Sequence, residues 1–522
     1  MRDRLGTRRT RVSIASALGL TLCASLSACK PPATETAPPP VTDAAAETPE
    51  SPPPAAPREH LWEGGVALPN GQVLGFAVKF TPAQDGGGYD GLLSIPMQGL
   101  FETPLEDVTL TERAIEFAFP QVGARFTGTV DEEFSVECEL LQGPAKLPCE
   151  MDEVDAERYA TLIKPKRPQE PAPPFPYEVR ELEYDTPDNI HLGATLTVPE
   201  GPGPHPAAIL ITGSGAQDRD ESLMGHKPFW VIADALTRAG IAVLRVDDRG
   251  VGKSSGEVSK STTDDFAGDV LASLAFLQQQ VGIDPKRVGL IGHSEGGVVG
   301  PLAASRSQDV AFVIMMAGTG VTGAEVVTLQ GKLIAEKMGM PAASVERSTK
   351  DNEEIFKIIK AAKSPDEARP KIKAYLEQAL AKTPSEELKT MGVTDTAEHV
   401  ESTLEQVTSP WFWYFLTHDP RLALRKLKVP VLVLNGELDL QVIPSQNLPE
   451  IEKALKKARN RDVTIKQLPG LNHLFQEAKT GLPVEYAMIE QTISPAVLEL
   501  MATWINERFG SASKSKSKSK SK

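Results

Sequence analysis

Directly after the apolar run Arg287-Val288-Gly289-Leu290-Ile291 the chain reads Gly292-His293-Ser294-Glu295-Gly296. A G-x-S-x-G sequence at the end of a buried strand allows few local folds. The strand must turn sharply into a helix, with the serine at the apex in a strained conformation and its hydroxyl exposed. The flanking glycines let strand and helix pass where a Cβ would clash. Helix-compatible sequence follows from Gly297 to Ser307, so a helix N-terminus is expected to point at the serine.

A nucleophilic serine needs a base, an acid to orient it and donors for the oxyanion. In folds with this turn the partners follow in the order serine, acid, histidine. Val429 to Leu434 reads as a buried parallel strand that runs into Asn435-Gly436-Glu437-Leu438-Asp439. Asp439 is the preferred acid, placed in a loop at a strand's carboxyl end; Glu437, two residues earlier, is its rival. The next strand, Val463 to Leu468, leads to Pro469-Gly470-Leu471-Asn472-His473, and His473 is the candidate base. His399 and His418 lie in helix-like sequence without such a context. For the oxyanion, the backbone N–H of Glu295 should act with one from the loop after the strand Ala207 to Ile211. That loop is Thr212-Gly213-Ser214-Gly215, and Ser214 N–H is preferred, with Gly215 as the alternative. Gly252-Lys253-Ser254 lacks the first glycine of a phosphate-binding loop and reads as a surface turn.

These residues, with Gly213 to Glu221, Asp247 to Ser254, Asn435 to Val442 and Asn472 to Phe475, resemble the α/β-hydrolases. The narrower resemblance is to secreted bacterial esterases of the serine aminopeptidase-like branch, and it covers about residues 178 to 509. It implies a Ser294, Asp439, His473 triad acting on short acyl esters without metal or organic cofactor. Some relatives are peptidases or acyltransferases, so the fold leaves the substrate open. An aminopeptidase or acyltransferase is therefore the rival within the same chemistry. An envelope-binding lipoprotein with secondary hydrolysis is the rival from another class.

The N-terminus reads as a lipoprotein signal over residues 1–28. A basic segment (Arg2, Arg4, Arg8, Arg9, Arg11) precedes an apolar stretch from Ile14 to Leu26, short for a membrane span. Leu26-Ser27-Ala28-Cys29 resembles a lipobox, which implies lipidation of Cys29 and a lipid bilayer as partner. Lys30 after the cysteine favours the bacterial outer membrane by the same resemblance. The Pro-rich residues 29–57 bury too little apolar surface to fold and serve as a tether. The Ser/Lys tail, 511–522, is expected to be disordered. The tail carries five lysines and residues 1–28 a net +4, so a chain of net −15 leaves −24 for everything between. That acidic body argues against nucleic acid as a partner.

Period-two apolar patterns at 75–80, 114–119, 124–130 and 135–141 predict a small antiparallel β domain over 58–163, with 164–176 as a linker. Trp62 and Tyr89 are expected to pack rather than bind. Cys138 and Cys149 flank the turn Gly143-Pro144, and a hairpin there would set them opposite each other for a disulfide. No zinc spacing is present. From Tyr177 the pattern alternates strand and helix over a domain spanning 177–510, which implies a mostly parallel sheet flanked by helices. About a hundred residues of helical periodicity, 321–426, interrupt it as a cap, ending in the aromatic run Trp411 to Phe415.

Overall fold

A computed structural model describes residues 58–510, apart from 68–72, 84–86, 97–99, 121–122, 132–133, 143–144, 164–165, 386–387, 389–392 and 394. The expected signal, the lipidation site Cys29, the tether and the Ser/Lys tail lie outside the described residues. So does the turn Gly143-Pro144. The described chain divides into two compact units, one up to residue 164 and one from 165.

The first unit is an antiparallel sheet of nine strands, larger than its four clear alternating runs predict. The strands are β1 (His60–Ala67), β2 (Val73–Pro82), β3 (Tyr89–Ile95), β4 (Leu100–Pro104), β5 (Glu106–Leu110), β6 (Ala114–Phe119), β7 (Ala124–Val130), β8 (Ser135–Gln142) and β9 (Ala145–Glu153). Helix α1 (Ala156–Ile163) follows. The order is β4-β3-β2-β1-β9-β8-β7-β6-β5, which puts β4 and β5 at opposite edges although only Leu105 separates them. A sheet whose edges are joined by one residue must be rolled, and at that residue Leu105 N–H donates to Gly91 O at 2.9 Å, extending the β3–β4 ladder. The inner face holds Trp62, Phe76, Phe80, Phe117 and Phe126, all buried. Gly64 leaves room for this packing, since a Cβ there would stand 2.4 Å from the Phe76 ring. Cys138 faces Cys149 across the β8–β9 pair, with Cα atoms 4.8 Å apart and the sulfurs bonded.

The second unit is an α/β structure around an eight-stranded sheet. Its strands are β10 (Tyr177–Asp185), β11 (His191–Pro199), β12 (His205–Ile211), β13 (Ala242–Val246), β14 (Ile283–His293), β15 (Val313–Met316), β16 (Val431–Gly436) and β17 (Val463–Leu468). The order is β10-β11-β13-β12-β14-β15-β16-β17. The first two ladders are antiparallel and all from β13 to β17 are parallel. Strands such as β16 are buried along their whole length, as a sheet covered on both faces requires. Alternation divides each strand between two cores. Ala207, Ile209 and Ile211 pack under α3 (Thr263–Leu277), α4 (Gly296–Ala304) and α11 (Pro444–Lys457). Ala208 and Leu210 pack under α2 (Pro228–Arg238) and α12 (Pro495–Phe509).

The strand order reverses at β12. The chain leaves β12 through α2 to β13 on one side, then crosses through α3 to β14 on the other. The loops after β12 and β14 therefore diverge and open a crevice at the carboxyl ends of the sheet, where ligands bind in open α/β sheets. Between β15 and β16 the cap inserts α5 (Gly323–Lys337), α6 (Ala342–Ala361), α7 (Pro365–Leu380), α8 (Thr396–Val407), α9 (Pro410–Thr417) and α10 (Arg421–Leu424). Ile355, Ile372, Leu404 and Phe412 give the cap a core of its own.

Candidate active site

Ser294 sits one residue past β14, with φ 53°, in the left-handed region that non-glycine residues avoid. Its N–H donates to Met316 O at 2.8 Å, which holds the turn against β15. The glycines on either side are sterically required. A Cβ on Gly292 would stand 1.9 Å from Gly296 O, and one on Gly296 would stand 2.1 Å from Ile211 O. Helix α4 begins at Gly296, so Glu295 N–H lies at its amino end, where unpaired N–H groups collect. The loop after β12 lies against the serine: a Cβ on Gly213 would be 3.4 Å from Ser294 Cβ. That contact brings the Ser214 region beside Ser294.

The expected acid and base meet. His473 Nδ1 is 2.9 Å from Asp439 Oδ2, and both side chains are buried. Asp439 is anchored at every oxygen. Its Oδ1 accepts the Gln441 and Val442 N–H groups at 2.8 Å each, and its Oδ2 also accepts Asn435 Nδ2–H at 2.9 Å. The rival Glu437 points elsewhere and accepts the Gly470 N–H at 3.0 Å. The His473 loop is shaped by Asn472, whose Oδ1 accepts the Leu474 and Gln476 N–H groups at 3.0 Å. Ser294 is not hydrogen-bonded to His473 among the described contacts. Catalytic hydrogen bonds of this kind often tighten only when substrate arrives.

Several residues that sequence reasoning left without a role brace these loops. Thr212 Oγ1 donates to Asp248 Oδ1 at 2.7 Å, and Gln217 N–H donates to Asp248 Oδ2 at 2.9 Å. Burial pushes the Asp248 carboxyl well above the ordinary carboxylate range despite these donors, and Glu295 and Glu221 nearby add to the effect. Gly252 and Lys253 form the exposed turn expected of them, and the Lys253 N–H donates to Asp247 Oδ2 at 3.1 Å. Ser254 is buried; its Oγ accepts the Gly193 N–H at 3.0 Å and donates to Asp247 O at 2.8 Å. The available signal was the pair Asp247-Asp248 ending an apolar strand, since carboxylates so placed are buried and need donors.

The Glu295 carboxyl is buried and, among the described residues, has no cationic partner. Thr263 Oγ1 donates to it at 2.7 Å, and Trp411 Nε1–H reaches both of its oxygens at 2.9 Å. Burial raises this carboxyl, while the Thr263, Trp411 and Ser214 donors oppose the rise. Trp411 thus seats the cap on the nucleophile turn. Along α9 the i, i+4 pair Phe412 and Leu416 faces the cap core. Trp411 stacks on Phe415, with ring centroids 5.7 Å apart, and Tyr414 Oη donates to Asp264 Oδ1 at 3.1 Å. Trp411→Phe keeps most of the bulk and removes the donor. It is expected to lower unfolding stability by about 1–3 kcal/mol, the cost of an under-satisfied buried polar group; urea melts of parent and variant at pH 7 measure it.

His226 ties the same region to the segment after His473. The ring is fully buried, with Nε2 2.9 Å from Tyr486 O and Nδ1 3.0 Å from Thr492 Oγ1. Burial, helped by the Arg167 charge, lowers its pKa from 6.5 to about 4. Above pH 6.5 the ring is neutral in both folded and unfolded chain and costs nothing. As pH falls from 6.5 toward 4 the unfolded chain takes up a proton that the folded chain refuses, and stability is lost, by about 3 kcal/mol in full. Urea midpoints should therefore fall less between pH 7 and 4.5 in His226→Gln than in the parent.

The eight-stranded sheet, the serine turn at its carboxyl end and the helical insertion together make an α/β fold. Residues 229–478 match the family model described as Serine aminopeptidase, S33. The chain is 26% identical to Esterase EstD of Thermotoga maritima over 366 residues, 67% of this chain and 77% of that protein. It is 30% identical to Thiohydrolase aneE of Aspergillus aculeatus over 135 residues, 26% of this chain and 40% of that one. A solved esterase of Pyrococcus furiosus aligns with 66% of this chain and 97% of its own at 16% identity and TM-score 0.39. The chain is a hydrolase enzyme of esterase type.

Proposed function

We propose that the chain cleaves carboxylic esters of short acyl chains through an acyl-enzyme on Ser294. The buried His473–Asp439 contact of 2.9 Å, with His473 O 3.1 Å from the ring of His293 next to Ser294 in the chain, carries this reading. Ser294 Oγ attacks the ester carbonyl as His473 Nε2 takes its proton. Asp439 receives Nδ1–H, which fixes the tautomer and stabilises the imidazolium. The Glu295 and Ser214 N–H groups hold the oxyanion, each worth about 3 kcal/mol in the transition state. The tetrahedral adduct collapses, the alcohol leaves with the proton from His473, and water repeats the sequence to free the acid.

A chain-length series of p-nitrophenyl esters, run beside an aminoacyl-anilide, tests this. Turnover peaking at short acyl chains supports it. The matched family's description favours one second reading, an aminopeptidase. Anilide turnover without ester turnover would establish that instead. We also propose anchoring in the bacterial envelope through Cys29, supported by the Leu26-Ser27-Ala28-Cys29 sequence; metabolic labelling with a palmitate analogue, lost in Cys29→Ala, tests it.

A further inference from the structure

Two buried side chains outside the proposed triad join the oxyanion loop, the nucleophile turn and the base loop. Glu221 lies in the loop after β12, 3% exposed, with φ 52° in the left-handed region. Its Oε1 accepts the Gly213 N–H at 2.7 Å and stands 3.0 Å from His293 Nδ1. The other ring nitrogen of His293, Nε2, lies 3.1 Å from His473 O. Both neighbours of this ring are therefore acceptors, one a carboxyl oxygen and one a backbone carbonyl. A neutral imidazole has one N–H and can serve only one of them; an imidazolium serves both. Burial opposes a charge on His293, but Glu221, the His473 carbonyl and Asp439 together outweigh it, so the ring is held above the ordinary histidine range. Among the described residues the buried Glu221 Oε2 has no hydrogen-bond partner, so the bonding of this carboxylate seen there runs through Oε1.

We propose that Glu221 and His293 are positioning residues, a buried carboxylate–imidazolium pair that locks the oxyanion loop, the nucleophile turn and the base loop in one register. The proposal rests on the reading of Ser294, His473 and Asp439 as the triad. The Gly213 tether fixes the peptide next to the one whose N–H is the Ser214 donor. The His473 carbonyl tether fixes the backbone of the base itself. The pair also acts through charge, since the His293 ring centre is 4.9 Å from that of His473. A positive charge there disfavours a second one on the base. The other groups facing the pair are Asp439, from the loop after β16, and Asp248, from the loop after β13.

Glu221→Gln tests the arrangement on the full chain. An amide can still accept the Gly213 N–H, but it removes the charge that holds the proton on His293. A neutral His293 must then abandon either its Glu221-side or its His473-side bond. With p-nitrophenyl butyrate from pH 5 to 9, kcat is expected to fall tenfold or more with KM changed less than twofold, as for an interaction made in the transition state. The acid limb of kcat/KM should move to higher pH, because a positive charge beside the base is gone. A purely structural role would lower the melting temperature and leave the limb in place, and an unchanged kcat and limb in the folded variant overturns the proposal. If Glu221→Gln does not fold, the parent labelled with nitrogen-15 histidine decides at pH 8. A buried histidine with both nitrogens protonated supports the pair, and its absence overturns it. Ser294→Ala is run alongside: retained turnover there removes the triad reading, whereas lost turnover with an unaltered Glu221→Gln removes this proposal alone.

Discussion

Ser294→Ala is expected to fold as the parent does and to lose ester turnover by about 10⁵-fold or more, the loss seen when a nucleophile that works as a unit with its base is removed. The folded state is preserved because Ser294 holds its turn through the backbone, by the N–H to Met316 O and the close passage of Gly292 and Gly296. None of those contacts uses the hydroxyl. Residual hydrolysis would come from the oxyanion donors and binding alone. Steady-state rates with p-nitrophenyl butyrate, beside thermal melts of both proteins, measure the two halves of this expectation.

Asp439→Asn is expected to lower kcat by about 10⁴-fold with a small change in KM, and the local geometry explains why. The Oδ1 position receives two backbone N–H groups, from Gln441 and Val442, so only an oxygen fits there. The amide nitrogen must then occupy the Oδ2 position, facing His473 Nδ1. It can only donate to that nitrogen, which leaves the histidine proton on Nε2, the atom that must accept the serine proton. Asn435 Nδ2, another donor, already points at the same position, so the variant also loses a hydrogen bond. A pH profile of kcat/KM with melts at the same pH values separates the tautomer effect from any loss of fold.

The parts of the site carried by strand ends were legible in the sequence. Each of Ser294, Asp439 and His473 follows an apolar run within a few residues, so strand periodicity alone located their loops. Loop position favours Asp439 over Glu437, and the contact that distinguishes them, with His473, lies 34 residues away in the chain. Glu221 and Trp411 lay beyond reach for a related reason. Glu221 meets His293 from 72 residues upstream, out of a loop with no periodicity, and Trp411 meets Glu295 from 116 residues downstream. An aromatic run predicts burial and says nothing of which indole N–H finds a carboxylate. The rolled sheet was underestimated because β1 carries Gly64-Gly65 and β9 carries Pro148, residues that weaken a strand signal while the tertiary packing tolerates them. Strands β4 and β5, five residues each, are too short for alternation to register.

The central claim is a covalent acyl-enzyme on Ser294. Its most direct test is brief exposure to a fluorophosphonate, followed by proteolysis and mass spectrometry of the peptides. A single adduct on the peptide carrying Ser294, absent from Ser294→Ala and slowed in Asp439→Asn, is the predicted result. An adduct on another residue, or full ester turnover by an enzyme whose Ser294 stays unlabelled, would contradict the account.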